Sequence, residues 1–177
     1  MNRSLLMGAA ALATAFTVHF AVIAALPSVI MGIAMSRIAG EEGPNVMKDA
    51  PPPTAEARTV VRPSPDLAYS ACVLDLASGP VRLTVAKSEP YTSLSLFSSR
   101  TDNYFVEDDR ERGGPIDIIV VVAPGGAVPA RLPEGARLVE APAERGMAIV
   151  RRVIESEASL PVIEEARKAS FCAPYPG

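Results

Sequence analysis

The densest run of chemistry-bearing side chains lies between Arg100 and Arg112. It holds Arg100, Thr101, Asp102 and Asn103, then Glu107, Asp108, Asp109, Arg110, Glu111 and Arg112. Five acids within about a dozen residues offer the hard oxygen ligands that hold Ca²⁺. Their spacing is not that of an EF-hand loop, and the nearby arginines neutralise them. The expected state is a solvated hairpin turn with mutual ion pairs, and no metal ligand is assigned. Arg100, Asp102 and Asn103 are singled out as a polar turn, with Asp102 and Asn103 capping it through Asx-type hydrogen bonds. Asp75 is expected to bond backbone amides in the Ala77–Gly79 turn. General acid work there would need a carboxyl with a raised pKa in a cleft.

Nucleophilic catalysis is hard to assemble. The single histidine is His19, and it lies within an apolar run near the N-terminus. Ser-His-Asp and Cys-His arrangements are therefore unavailable to the rest of the chain. Zinc sites lean on His and Cys clusters, which are also missing. Gly125-Gly126 has no GxGxxG or GxxxxGK around it, so no phosphate cradle is expected. No catalytic residue and no cofactor are assigned, and the expectation is a protein that is not an enzyme. Carboxylate or arginine chemistry around Asp75, Arg100 and Asp102 is the enzymatic alternative. A net charge of −3 supplies no cationic field for nucleic acid.

Cys72 and Cys172 are the only cysteines. In an oxidising compartment they could be bridged, closing a loop of about 100 residues and stapling a C-terminal helix to the first strand. The alternative is two buried free thiols.

These residues are positioned by three segments. Leu5 to Ser36 contains no Asp, Glu, Lys or Arg. About 20 apolar residues cross a hydrocarbon core of about 30 Å, so residues 1–39 are expected to form a transmembrane anchor. The run is longer than a span needs. A kink near Pro27 would let Leu5–Leu26 cross while Pro27–Ala39 tilts, lies in the interface or emerges against the body. A cleaved signal peptide is the competing reading, but its apolar core would be about half this length. Thr17, Ala21, Ala24, Ser28, Gly32 and Ser36 recur at spacings of three and four, a small-residue stripe suited to a second helix. His19 is expected to pack or hydrogen-bond within the membrane. Arg3 against Arg37 is nearly a tie by the positive-inside rule, and the short head favours a cytoplasmic N-terminus.

Residues 40–65 are expected to be a linker. Pro51, Pro52 and Pro53 run together, and Pro44, Pro63 and Pro65 flank them. Consecutive prolines favour extended polyproline II, a semi-rigid spacer. It could hold the body tens of Å from the bilayer or lie along a partner.

Residues 66–177 form the body. Tyr69–Leu76, Val81–Ala86 and Tyr91–Ser98 alternate apolar and polar residues, with Leu94 and Leu96 on one face. Asn103–Val106 and Arg137–Glu140 are short further candidates. Ile116–Val122 is nearly continuous apolar, as in a strand covered on both faces. Met147–Ile154 is ambiguous, but its length and β-branched content favour a strand. Ser159 to Phe171 reads as a helix, with Ser159 as N-cap, Pro161 in its first turn and Ile163, Ala166 and Ser170 on the inner side. Short runs bounded by turns indicate a mainly β protein: one N-terminal transmembrane helix, then a small antiparallel β-sandwich with a C-terminal helix.

Three stretches carry a family likeness: LDLASGPVRLTV (Leu74–Val85), YTSLSLFSSRTDNYFVEDDR (Tyr91–Arg110) and IIVVVAPGGAVPA (Ile118–Ala130). Together they resemble the DUF1254 family through Asp75, Gly79, Pro80, Val81, Tyr91, Ser93, Leu94, Leu96, Thr101 and Asn103. The chain looks like the short, membrane-anchored alphaproteobacterial form, shorter than the usual family region. The resemblance implies a β-rich sandwich in the cell envelope, and with the anchor's expected orientation this gives a bacterial inner-membrane protein whose C-terminal domain lies in the periplasm. It also implies a separate DUF1214-like chain, or another membrane complex, as partner. It supplies no reaction. The leading expectation is thus a non-enzymatic interaction or accessory subunit. The alternative is a binding module for a small apolar or lipid-like ligand.

Overall fold

The computed structural model describes residues 2–51, 54, 63–110, 116–122, 126 and 128–175, with residues 117–122 as backbone only. Pro52, Pro53, Glu111, Arg112, the Gly113-Gly114 pair and Gly125 lie outside the described residues.

The chain opens with one helix, α1 (Arg3–Ala39), 37 residues long with Pro27 inside it. It is long and apolar enough to cross a membrane. From Asn2 to Leu26 every residue is exposed. From Pro27 onward one side is covered, and Met31 and Met35 are only 5% and 4% exposed.

Among the described residues nine strands follow: β1 (Met47–Asp49), β2 (Leu67–Asp75), β3 (Val81–Val85), β4 (Thr92–Ser98), β5 (Asn103–Asp108), β6 (Ile116–Val122), β7 (Arg137–Ala141), β8 (Arg145–Val153) and β9 (Phe171–Pro174), with helix α2 (Leu160–Lys168) between the last two. They form two sheets, ordered β1-β2-β8-β4-β5 and β7-β6-β3-β9. The pairs are antiparallel except β6 with β7, which is parallel, so the second sheet is mixed.

Strict alternation builds the core between the sheets. Cys72 and Leu74, Leu94 and Leu96, and Ala148 and Val150 point inward from the first sheet. Val81, Leu83 and Val85, Ile116, and Val139 and Ala141 meet them from the second. The ambiguous stretch from Met147 is strand as far as Val153, central in its sheet and paired on both sides.

Two segments differ from the sequence reading. Gly40–Asp49, expected within the spacer, is a short 3-10 turn (Gly40–Glu42) followed by edge strand β1. Asn45, at a left-handed φ of 61°, forces this return. Its side-chain amide donates to the Asp75 carbonyl at 2.8 Å and accepts from the Asp75 amide at 2.9 Å. An Asn side chain tolerates this conformation and here copies a strand residue's own two bonds. The body therefore follows directly on α1, and the proline-rich stretch comes after β1 in the chain, not between the helix and the sheet. At the other end the helix stops at Lys168, and Phe171–Pro174 is strand. Ser159 precedes α2, but its hydroxyl turns back to the Ser156 carbonyl at 2.6 Å and does not cap the helix. Ile163, Ala166 and Ser170 are buried as expected.

Candidate functional site

The polar turn between β4 and β5 is a structural device. The Ser98 hydroxyl accepts from the amides of Arg100 at 3.1 Å and Asp102 at 3.3 Å. It donates to Asp102 Oδ2 at 3.1 Å. These bonds hold Thr101 at a left-handed φ of 71°, a conformation disfavoured for a β-branched residue. Asp102 thus joins the turn through the Ser98 hydroxyl rather than through the Asx-type bond expected of it, and the amides of the turn are held by that serine. Arg100 and Asn103 are exposed beside it.

The acids beyond it do not converge. Glu107 is buried and meets Arg137 of β7 at 3.4 Å, closing that flank between the sheets. Asp109 is buried and accepts from the Thr92 amide at 3.0 Å. Asp108 accepts from the Arg110 amide at 3.0 Å and the Tyr91 hydroxyl at 3.3 Å. Among the described residues no group of His, Cys, Asp or Glu could hold a metal ion. Asp75 accepts from the Ala77 amide at 3.2 Å, the role its position in the sequence suggested.

Cys72 and Cys172 form a disulfide. It joins β2 to β9, hence one sheet to the other. The expected staple to a helix is corrected because Cys172 lies in the strand after α2.

A buried polar assembly joins β8 and β2 to the residues on either side of them. Arg152 of β8 is completely buried. It donates to the Ser170 hydroxyl at 2.7 Å, the Ala86 carbonyl at 3.2 Å and the Ser70 hydroxyl at 3.4 Å. Ser70 in turn donates to the Asp49 carboxylate. Asp49 lies 3.8 Å from the Arg167 guanidinium, which also pairs with Glu164 at 2.7 Å. Arg167 donates to the carbonyls of Tyr69 at 3.0 Å and Ala50 at 3.1 Å. Burial pulls the Arg152 pKa down to about 10, so the guanidinium stays charged at neutral pH. With no exposed surface, Arg152 presents nothing to a substrate. Its bonds tie β8 to β2, to Ala86 just after β3 and to Ser170 just before β9, and Ser70 carries the link on to Asp49 of β1. The sequence reading missed this group. The available signal was period two in β8, which places Arg152 on the same face as Ala148 and Val150.

The opposite face of the first sheet is the site that organises the molecule. Val73 and Met147, with Phe97 and Ile149 beside them, receive Met31, Met35, Ile38 and Ala39 of α1. Gly146 permits tight packing nearby: a Cβ there would lie 2.5 Å from the Phe97 carbonyl oxygen. Burying a methionine contributes ~1.5–3 kcal/mol, so this seam fixes the helix to the sheet. The six residues of the stripe from Thr17 to Ser36 are all left exposed by the body. The Thr17 hydroxyl bonds the Ala13 carbonyl in its own helix at 2.9 Å. His19 is exposed, and its ring stands edge-on to Phe20 with centroids 5.6 Å apart.

Residues 44–174 match the family model DUF1254, a protein of unknown function. No curated protein matches the chain. Among solved structures, the chain is similar to the VPA0106 protein of Vibrio parahaemolyticus, at 17% identity and a TM-score of 0.53, over 62% of this chain and 28% of that one. It is also similar to an uncharacterised protein from Burkholderia cenocepacia, at 14% identity and a TM-score of 0.46, over 75% of this chain and 36% of that one. The chain thus spans about a third of these proteins. The first likeness shows a shared fold.

Proposed function

The chain belongs to the DUF1254 family, and from that membership and the docked anchor we propose that it is a membrane-anchored accessory subunit of a cell-envelope complex. The observation that carries this reading is the seam of Met31 and Met35 on the first sheet. A body fixed to its own membrane helix presents its remaining surfaces at a constant height and orientation. That arrangement suits a subunit that docks a neighbour, since little orientational freedom is lost on binding. Bacterial inner-membrane residence, a cytoplasmic N-terminus and a periplasmic body complete the proposal. The disulfide supports it, because such bonds persist in oxidising compartments.

A non-enzymatic role belongs to the same proposal. Its support is that Asp75, Asp102, Asp109, Glu107, Arg152 and Arg167 are spent on turns, ion pairs and buried bonds. The partner is a DUF1214-like protein or another membrane complex.

Purification of the native chain in a gentle detergent, followed by mass spectrometry, tests the reading. A defined protein should co-purify in fixed ratio. A strictly monomeric, partner-free species at native expression would overturn it. A reporter fused after Gly177 tests orientation: alkaline phosphatase should be active there, and cytosolic fluorescence from a fused fluorescent protein would reverse the topology.

A further inference from the structure

The charge-free run on α1 is longer than a membrane core, and the body covers only part of the surplus. Leu5–Leu26, exposed on all sides, rises about 33 Å, close to the hydrocarbon thickness of about 30 Å. The run continues to Ser36, giving about 48 Å in all. Over these last turns Met31 and Met35 face the sheet, while Val29, Ile30 and Ile33 remain 54%, 53% and 50% exposed on the side turned away. Three large β-branched residues in five positions form an apolar face continuous with the bare span. The next charge is Arg37, exposed, with a stem long enough to reach the lipid phosphates.

We propose that this free face is seated in phospholipid, so that α1 lies between the first sheet and the interfacial layer and the sandwich rests on the bilayer surface. A bilayer is about 40–45 Å thick with its headgroup layers. Fitting a run of about 48 Å into that thickness needs a tilt of about 20–35°, within the ordinary range for membrane helices. At such a tilt the distal segment leans over the membrane. The body occupies its upper side, and Val29, Ile30 and Ile33 turn down into the glycerol and upper acyl region. The inference rests on the membrane-anchor part of the proposed function and is independent of any protein partner.

The test uses the full chain in phosphatidylcholine–phosphatidylglycerol vesicles, with single cysteines carrying a polarity-sensitive dye at Phe16, Val29, Ile33 or Val106. These positions are exposed, so labelling leaves the fold intact, and the native cysteines are bridged. Lipids bearing bromine deep in the chain should quench Phe16. Lipids bearing a quencher near the headgroup should lower emission at Val29 and Ile33 about twofold, with blue-shifted spectra. Val106 should stay water-like and unquenched. Water-like emission at Val29 and Ile33 with Phe16 quenched would overturn this inference alone. Blue-shifted emission there without lipid quenching would also overturn it, by showing that protein covers the face. An unquenched Phe16 would overturn the anchor itself.

Discussion

Truncating Met31 and Met35 together to alanine should free α1 from the first sheet without unfolding the sandwich. Each truncation removes three heavy atoms from a side chain at most 5% exposed. At ~0.8 kcal/mol per buried methylene equivalent, the loss is about 2 kcal/mol at each position and ~4 kcal/mol for the pair. Every 1.4 kcal/mol is tenfold, so the undocked population should rise about a thousandfold. The sandwich core lies on the other face of the sheet and keeps its own contacts, and β1 still ties the helix to the body. The assay is maleimide labelling of a cysteine at Val73, a residue 1% exposed beneath the helix, in the full chain held in lipid nanodiscs. A cysteine at Val106 normalises reagent activity. The Val73 site should react slowly in the parent chain and about a thousand times faster in the double variant. Equal rates in the two, or a parent rate matching the Val106 control, would refute the claim that α1 covers this sheet.

Further outcomes follow from single sites and can be read by urea unfolding of the full chain in mild detergent. Arg152→Ala should destabilise by ~3–5 kcal/mol, because it empties a fully buried site. Arg152→Met should cost about 2 kcal/mol or less, since removing the buried charge offsets the three lost bonds. Equal costs for the two would contradict the packing argument. Burial pushes the Tyr104 phenol up to about 12 from its usual 10. The folded state then keeps a proton that the unfolded chain releases, so stability is full below pH 10 and falls by up to ~2–3 kcal/mol as pH approaches 12. Tyr104→Phe should lessen that fall; unchanged pH dependence would argue against a buried phenol. Gly146→Ala should cost ~1–3 kcal/mol, because the new Cβ meets the backbone at Phe97. A melting temperature equal to the parent's would show that the two strands part more easily than their register implies.

Local patterns make much of this protein legible in its sequence. The bare apolar helix follows from 32 residues without a charge, and the strands follow from period-two alternation. Arg137–Ala141, Ile116–Val122 and Thr92–Ser98 lie within a residue or so of their expected bounds. The role of Asp75 was also readable, because it bonds an amide two residues on. Sequence distance is short there, so turn chemistry suffices.

Other features depend on contacts between distant segments. Strand β1 has three residues and no periodicity of its own, and exists because the edge of β2 offers unpaired backbone groups. Strand β9 contains a proline and is defined by its pairing with β3. Proline content in residues 40–65 suggested a spacer, whereas the Asn45 side chain and β1 bring the body straight back to the helix. The Asp49–Ser70–Arg152–Ser170 network joins residues up to 121 positions apart, and no window of sequence contains it. Composition and spacing decided that the chain has an apolar helix and a β body, because helix and strand periodicities are local properties. Tertiary structure decided that the helix is fastened to that body, because burial of Met31 and Met35 requires a surface assembled from β2, β4 and β8.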